Sequence, residues 1–458
     1  MRKQKKSYFS WAMFPVIISL AWPTMLEQLM QTALQYIDTA MVGSLGTHAT
    51  AAVGSTATIS WLLNSSIFAL GVGFLAYIAQ AYGAKETERA KRAVSQAVLV
   101  TIVCGVFFTG LTLALSPFVP VWMQVDESIQ QLSAQYFIIL YLPMLPRTAT
   151  ILFGTVLRAV GDSKTPMRVG ILSNVVNVIG NFFLIYPSRP LLPGIIIPGA
   201  GLGVIGAALA SAFSFTLGGI CMTISLWKHA EISPRFQKLR PDWSVLKPCL
   251  RIAVPNMLQR FGTSLGYVAF ASMINALGET ATAAHTIANT VESAFYIPGY
   301  GMQAAAATLA GNKLGAGDKQ GMRDLSRMLI LIETVLMILS GGLLFVFAPQ
   351  MMQIFSSEAV VIALGATVLR MVAVSEPIYG VSIILEGLMQ GVGNTATPFI
   401  CNIAGMWGVR IIGTFICTKV FGLGLISAWA CMILHNVLLF VMFLIIFLRR
   451  KWNPLYQK

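Results

Sequence analysis

Four polar side chains fall on one face of the first long apolar segment, and two of them are acids. Glu27 and Asp38 are eleven residues apart. In an α-helix that is about three turns, so the two carboxyl groups share a face about 16 Å apart. Gln31 and Gln35 lie between them on the same face. A carboxylate inside lipid costs several kcal/mol unless it faces a cavity or a partner, so the pattern favours a solvated pathway. A seam of hydrogen bonds between helices is the alternative.

A second polar face is predicted in the fifth apolar segment. Asn174, Asn177 and Asn181 recur there at helical spacing. Their amide oxygens, with a carboxylate and a hydroxyl such as that of Ser211 in the sixth segment, could hold a sodium ion or position a carboxylate for protonation. Asparagines also hold membrane helices together without binding any ligand, so this signal is weak by itself.

The composition identifies the solvent around these segments as lipid. Hydrophobic residues make up 56% of the 458 and charged residues only 10%, which is too apolar for a soluble domain. Twelve stretches are long enough to cross a hydrocarbon core about 30 Å thick, the fourth of them covering 129–157. The sequence therefore predicts an all-α integral membrane protein with twelve transmembrane helices.

An internal repeat organises these helices. A shift of 232 residues places Pro23 on Pro255, Leu45-Gly46 on Leu277-Gly278 and Thr165-Pro166 on Thr397-Pro398. Six helices per copy make the repeats parallel, as in transporters built from two similar halves. We therefore expect an N-lobe over 1–232 and a C-lobe over 233–458, with a central cavity. The first copy carries 11 extra residues in a Pro-rich outer loop, Pro187 to Gly199.

The repeat also provides an internal control on the polar residues. The stripe of the first copy is matched in the second by Gln259, Thr263, Tyr267 and Phe270. The three asparagines are matched by Met406, Val409 and Gly413. Polarity that the scaffold requires should occur in both copies. Its absence from the second copy favours a functional role in the first.

The distribution of charge predicts the topology. The net charge of +14 comes from basic residues spread over loops, which argues against nucleic-acid binding. Of the 31 Lys and Arg, 25 fall in loops on one side, starting with the basic segment Arg2 to Lys6, and four fall within spans. The opposite loops hold Arg189 and Lys419. By the positive-inside rule, both termini are cytoplasmic.

The second copy has acids of its own in predicted helices. Glu292, Glu376 and Glu386 are either structural carboxylates, paired with Arg260, Arg370 or Arg410, or contributors to ion coupling. Glu333 receives no assignment. No catalytic triad, phosphate loop or metal-spaced cluster occurs, so we expect neither an enzyme nor a bound cofactor.

Several segments together resemble the multidrug and toxic compound extrusion (MATE) family. They are Tyr36-Ile37-Asp38-Thr39-Ala40-Met41-Val42-Gly43, Ala79-Gln80-Ala81-Tyr82-Gly83-Ala84, Leu157-Arg158-Ala159-Val160-Gly161-Asp162 and Gly391-Val392-Gly393-Asn394-Thr395-Ala396-Thr397-Pro398. The resemblance implies two six-helix lobes and export of lipophilic, often cationic compounds by alternating access. It also implies that Pro23 bends the first helix and that H⁺ or Na⁺ at Asp38 drives the bend.

The resemblance carries over residue by residue in part. Asp38 and Asn177 match the family's cation site, and Ser211 falls where a hydroxyl is common. Asn181 departs from the pattern, because one branch has a second acid there. Another branch has carboxylates at the positions of Thr263 and Tyr379. The residues expected to line the substrate cavity are Glu27, Gln31, Gln35, Gln259, Thr263, Tyr267, Glu292 and Tyr379.

The resulting expectation is a monomeric antiporter of the cell membrane that exchanges H⁺ or Na⁺ for lipophilic or cationic small molecules. Its partners are those substrates and membrane lipid, not nucleic acid. Na⁺ at Asp38 is the only metal ion expected. A flippase of a lipid-linked sugar or another amphiphile is the alternative function, and a membrane scaffold or receptor that transports nothing is a third class.

Overall fold

A computed structural model describes residues 11–123, 125–192 and 195–457, and most of them are helical. The basic segment Arg2 to Lys6 lies outside the described residues. The first copy of the repeat contains α1 (Met13–Gly43), α2 (Thr47–Gly83), α3 (Thr87–Leu115), α4 (Val119–Trp122), α5 (Glu127–Tyr141), α6 (Met144–Ala159), α7 (Lys164–Leu184), β1 (Pro187–Leu192), β2 (Ile195–Ala200) and α8 (Gly203–Lys228). The second contains α9 (Trp243–Asn275), α10 (Glu279–Gly315), α11 (Lys319–Gln353), α12 (Ala359–Gly391), α13 (Ala396–Gly405), α14 (Ile412–Phe415) and α15 (Leu425–Leu448). Two π-helical segments, Met406–Ile411 and Ile416–Val420, flank α14, and a 3₁₀ turn covers Pro454–Tyr456.

Length and composition identify nine membrane-spanning helices among the described residues, against twelve predicted. A tenth follows if α5 and α6, which are bent by 49°, count as one span. The sequence predicted one segment over 129–157. The bend has a local reason, since Pro143 caps α6 and Pro146 lies in its first turn, and neither can donate a backbone hydrogen bond.

The helices α9 and α10 account for the rest of the difference. They contain 33 and 37 residues, which exceeds the length needed to cross a bilayer. They are not apolar enough to be identified as spans by composition. Their polar side chains include Gln259, Arg260 and Glu292, which are described below.

The Pro-rich outer segment of the first copy forms a β-hairpin where the sequence predicted a loop. β1 and β2 pair antiparallel, with Pro187 opposite Ala200 and Leu192 opposite Ile195. Two register irregularities interrupt the pairing. They fit a proline-containing strand, because each proline removes one backbone donor.

The repeat recurs in the backbone geometry. Gly46 and Gly278 lie 232 residues apart, each directly before a long helix, and have φ of 105° and 104°. This region of backbone conformation favours glycine. The turns that start α2 and α10 are therefore built in the same way.

The described chain divides into two compact units. The N-terminal unit contains Glu27–Phe74 and Thr87–Lys247, and the C-terminal unit contains the described part of Met1–Leu26, Leu75–Glu86 and Pro248–Lys458. This division differs from the predicted boundary at residue 232 because the beginning of α1 and the end of α2 group with the second copy. In the C-terminal unit, Ile17 and Ala21 belong to the same buried core as Met302 and Leu385.

Glycines allow α2 and α10 to meet closely within the C-terminal unit. A Cβ added to Gly83 would lie 2.1 Å from the carbonyl oxygen of Asn312, and one added to Gly315 would lie 1.9 Å from that of Gln80. The shift of 232 residues relates Gly83 to Gly315 and Gln80 to Asn312. The same contact is therefore made twice, with the roles exchanged.

Candidate functional site

Four residues predicted as the cation site form one chain of hydrogen bonds in the N-terminal unit. The Asn181 amide nitrogen donates to Asp38 Oδ1 at 2.6 Å and to Asn177 Oδ1 at 3.1 Å. The Asn177 amide nitrogen donates to Ser211 Oγ at 3.0 Å. We call this set the Asp38 chain. It joins α1, α7 and α8.

Local geometry explains how these helices bring the four side chains together. Asn177 and Asn181 are four residues apart on α7, so they lie on the same face one turn apart. Gly180 allows α7 to approach α8, because a Cβ at this position would lie 3.0 Å from that of Ala210. Asn174 extends the same face in sequence but is not part of the Asp38 chain.

The Asp38 chain has the polarity of a cation site. Asn177, Asn181 and Ser211 are buried, whereas Asp38 is partly exposed. The N–H group that Asn181 donates stabilises an ionised carboxylate. The Asn181 Oδ1 oxygen is buried without a hydrogen-bond donor. It therefore leaves an unused oxygen ligand beside the carboxylate, which suits a hard cation, and the carboxylate itself can take a proton.

Glu27 does not share the environment of Asp38. Arg158 Nη2 lies 2.8 Å from Glu27 Oε1 and 3.0 Å from Oε2. Both side chains of this Glu27 pair are largely buried. The prediction that Glu27 and Asp38 belong to one solvated stripe is thus wrong for Glu27, whose charge is neutralised within the protein. Gln31 and Gln35 are exposed on α1 between the two sites.

Arg158 is the residue that the sequence analysis missed. It was counted among the loop residues because it follows the fourth apolar stretch, but α6 continues to Ala159. The repeat contained a usable signal. Arg158 is matched by Gln390, just as Glu27 is matched by Gln259, and both glutamines bind one carboxylate.

That carboxylate belongs to Glu386, in the C-terminal unit. Gln259 donates to Glu386 Oε1 at 2.8 Å, Gln390 donates to the same oxygen at 2.9 Å, and Asn402 donates to Oε2 at 3.2 Å. The positive charge of Arg260 also acts on this carboxylate. We call the four hydrogen-bonded residues the Glu386 cluster. The expectation that the polar stripe has no counterpart in the second copy is therefore wrong at this position.

The other residues expected in the substrate cavity lie in different surroundings of the C-terminal unit. Thr263 donates to the backbone carbonyl of Gln259 at 2.7 Å. The Tyr267 ring lies 4.9 Å from the guanidinium of Arg410, whose charge also acts on the buried Glu292.

Tyr379 lies among other tyrosines of the C-terminal unit. Its hydroxyl is 3.1 Å from that of Tyr300, and its ring contacts Tyr296 at a centroid distance of 6.1 Å. Tyr267 lies close enough to act electrostatically on all three of these tyrosines, and Glu292 acts on Tyr296. The predicted cavity residues Tyr267, Glu292 and Tyr379 are therefore neighbours in the C-terminal unit.

Pro23, the predicted hinge, is buried inside α1. A proline there removes the backbone hydrogen bond to the residue four positions earlier, Ser19. The matching residue, Pro255, also lies inside a helix, α9. α1 contains 31 residues and continues past Pro23 without a break in the helix. A role for Pro23 in bending stays a prediction.

Comparison with known proteins agrees with this architecture. The MatE family model matches residues 23–183 and 255–416, once in each copy of the repeat. The chain is 27% identical to a protein of Thermotoga maritima named "Probable multidrug resistance protein NorM", over 95% of this chain and 92% of that protein. It is 28% identical to "Probable multidrug resistance protein YoeA" of Bacillus subtilis, over 89% of this chain and 87% of that protein.

A solved structure gives the same result for the fold. The outward-facing conformation of a multidrug resistance MATE family transporter of the MOP superfamily superposes with a TM-score of 0.89. The match covers 97% of this chain and 96% of that one, at 22% identity. The family model covers more than half of the chain, in both copies of its repeat, and the chain therefore belongs to the MATE family of transporters.

Proposed function

We propose that this membrane transporter is a cation-coupled antiporter that exports lipophilic, cationic small molecules by alternating access. Family membership agrees with the prediction of a multidrug efflux transporter that is not an enzyme. The observation that supports cation coupling is the Asp38 chain, in which a partly exposed carboxylate is held by a line of buried amides. The coupling ion is H⁺ or Na⁺.

The proposed mechanism follows from the chemistry of Asp38. In the ionised state, the carboxylate accepts a hydrogen bond from the Asn181 N–H. Its negative charge attracts a cationic substrate. A proton on Asp38 cancels that charge. A sodium ion does the same, with Asn181 Oδ1 as a further ligand. Entry of the coupling ion therefore weakens the electrostatic attraction for the substrate and promotes its release.

The proposed arrangement has twelve membrane helices in two lobes of six, over 1–232 and 233–458, in a monomer with both termini in the cytoplasm. The repeat and the sidedness of the basic residues support it. The lengths of α9 and α10 support their inclusion as spans despite their polar side chains. Pro23 is the proposed site of bending in α1.

The proposed substrates are consistent with the side chains of the protein. Gln31, Gln35, Thr263, Tyr267 and Tyr379 stay candidates for contact with the substrate, since amides and aromatic rings suit lipophilic cations. Glu27, Gln259 and Glu292 also stay candidates, although Glu27 and Gln259 already bind residues within the protein. The multidrug names of the two bacterial relatives support a broad set of small molecules.

Asp38→Asn tests the coupling role. In proteoliposomes with an imposed proton or sodium gradient, this variant should lose gradient-driven accumulation of a cationic dye. It should still bind the dye, with a lower affinity that no longer depends on the coupling ion, because asparagine is neutral. The matched control is Asp126→Asn. Asp126 caps α5 by accepting from the Ser128 N–H, and asparagine caps equally well.

The two gradients are imposed separately, so the one that drives uptake in the wild type identifies the coupling ion. Undiminished accumulation by the Asp38→Asn protein under that gradient would exclude Asp38 as the coupling site. Loss of accumulation in the Asp126→Asn control would instead point to general damage.

A further inference from the structure

Besides the exposed Glu279 at the start of α10, four glutamates lie on the helices α10, α11 and α12 of the C-terminal unit, and they differ in how their charges are compensated. Glu386 lies near the Arg260 guanidinium and Glu292 near that of Arg410. Glu333 and Glu376 have no such cation among the described residues. The charged groups that act on Glu376 are the acids Glu292 and Glu333.

Glu333 is fully buried among small and apolar groups. Its side chain has 0% exposure, and neither carboxyl oxygen has a hydrogen-bond donor. Glycines of two neighbouring helices make the space for it. A Cβ added to Gly299 of α10 would lie 2.7 Å from Glu333 Oε1, and one added to Gly380 of α12 would lie 3.1 Å from it.

Glu376 lies on the same contact between α11 and α12. It is 1% exposed, and its Oε2 has no donor. Gly380, which contacts Glu333, follows Glu376 by one helical turn, so the two carboxyl groups belong to adjacent levels of one interface. Tyr296 of α10 lies near enough for the charge of an ionised Glu376 to act on its hydroxyl group.

Pro377 adds a free acceptor at this place. It follows Glu376 inside α12 and cannot donate to the carbonyl of Ala373. That carbonyl faces α11, where a Cβ on Gly341 would lie 2.6 Å from its oxygen. Unsatisfied carboxyl oxygens and a free carbonyl suit protonated acids, which can donate where a carboxylate cannot.

We propose that Glu333 and Glu376 form a proton-binding pair that exchanges one proton per transport cycle in addition to the ion bound at Asp38. An ionised carboxylate without a donor or a cation is strongly unfavourable inside a membrane, so the buried form of this pair is neutral. A metal ion would need several more oxygen ligands than these two groups offer. The proposal rests on the proposed antiport and adds a second ion site to it.

Glu333→Gln and Glu376→Gln test the pair separately, because glutamine resembles a protonated glutamate in size and charge. The number of protons moved per substrate is measured in proteoliposomes, from the dye accumulation at equilibrium across a series of imposed pH differences. Each variant should move one proton fewer, which lowers the accumulation about tenfold per pH unit. Glu358→Gln is the matched control, since Glu358 is the exposed residue that precedes the same helix α12.

Infrared spectroscopy provides a readout that does not depend on transport. The wild type should show the carbonyl stretch of protonated carboxyl groups, and each glutamine variant should lose part of that band. An unchanged proton number would overturn the proposal, and a lost band would then identify the two acids as permanently protonated. A different result, undiminished coupling in the Asp38→Asn variant, would contradict the proposed role of Asp38. The two proposals are therefore tested independently.

Discussion

The two copies of the repeat can be compared at two pairs of matching positions. At the first pair both copies contain a polar centre, and at the second only the first copy has an acid. At the first position, Glu27 of the first copy binds Arg158. The matching residues of the second copy, Gln259 and Gln390, both donate to Glu386. Each copy therefore holds one carboxylate at this place whose oxygens accept hydrogen bonds from other side chains of the protein, although different helices supply it.

The exchange extends to the residues around the carboxylate. Glu386 and Asn402 occupy the positions of Gly154 and Gly170. Those glycines lie beside the Glu27 pair, because a Cβ on Gly170 would be in ordinary contact with Glu27 Cγ at 3.5 Å and one on Gly154 with Arg158 Nη2 at 3.7 Å. A polar centre is kept in both copies while its chemistry changes. We infer that this centre supports the scaffold.

At the second position, the copies have nothing in common. Asp38 is matched by Phe270, and Asn177 and Asn181 by Val409 and Gly413. In the second copy, the Arg410 guanidinium lies 4.2 Å from the Phe270 ring. The side chain that matches Asp38 is thus an aromatic ring beside a guanidinium, and that guanidinium also acts on the buried Glu292. The acid of the first copy is therefore not repeated at the matching position, which supports the proposal that Asp38 has a functional role.

The largest expected effect comes from breaking the repeated centre. Glu27→Gln leaves the buried Arg158 without its counter-charge and should destabilise the protein by about 3–5 kcal/mol. Thermal unfolding of the purified protein in detergent measures the loss. If the two centres are equivalent, a variant that also carries Arg158→Gln, Gly154→Glu and Gly170→Asn should regain much of the stability, because it copies the Glu386 cluster. A fourfold variant no more stable than Glu27→Gln would refute the equivalence.

The second prediction concerns Asp38 and the matching residue of the second copy, Phe270. Phe270→Asp places a carboxylate at the matching position, where it lies beside the guanidinium of Arg410 and should form an ion pair with it. Adding this change to Asp38→Asn should therefore leave gradient-driven transport absent. The same proteoliposome assay measures it. Recovery of coupling in the double variant would show that the second copy retains a latent cation site.

A smaller effect is expected at the end of the Asp38 chain. Ser211→Ala removes the acceptor of the Asn177 amide and leaves a buried N–H unpaired, which costs about 1–3 kcal/mol. The half-saturating concentration of the coupling ion should rise about tenfold while the maximal transport rate changes little. Ser214→Ala on the same helix is the control, because the Ser214 hydroxyl donates to the carbonyl of Ser211 within its own helix. Equal effects of the two substitutions would contradict a specific role for the Asp38 chain.

The smallest effect concerns a contact present in one copy only. Lys313 and the Gly321 N–H donate to Asp318, and these bonds hold the pKa of that carboxyl below its usual value. A lowered pKa stabilises the folded state at a pH above the usual value, and this stabilisation is lost as the pH falls through the lowered pKa. In the first copy, Ala81 replaces Lys313.

Asp318→Asn should accordingly lower the stability by less than about 1 kcal/mol at neutral pH. It should have no effect in acid, where Asp318 of the wild type is protonated. Thermal unfolding across the pH range checks both expectations. A difference between the variant and the wild type that persists in acid would count against the assigned cause.

The sequence predicted the parts of this molecule that depend on periodicity. Asp38, Asn177 and Asn181 were identified as polar residues at helical spacing in an apolar chain. Such residues are rare in membrane helices because burying a polar group in lipid is unfavourable. The Glu27 pair was missed because the end of α6 determines whether Arg158 lies in a loop or in the protein interior. Glu386 was left with two alternatives because its hydrogen bonds depend on the side-chain directions of α9, α12 and α13, which sequence spacing does not determine.

The paired glycines Gly83 and Gly315 have a consequence for the history of the chain. Gly83 contacts the backbone carbonyl of Asn312, and Gly315 contacts that of the matching residue, Gln80. The contact is therefore self-complementary, like the interface of a homodimer with two-fold symmetry. Two separate six-helix chains could form such a contact without any linker. In a homodimer, a substitution changes both copies, whereas in one polypeptide it changes a single copy. An acid such as Asp38 can then exist in one copy without being imposed on the other.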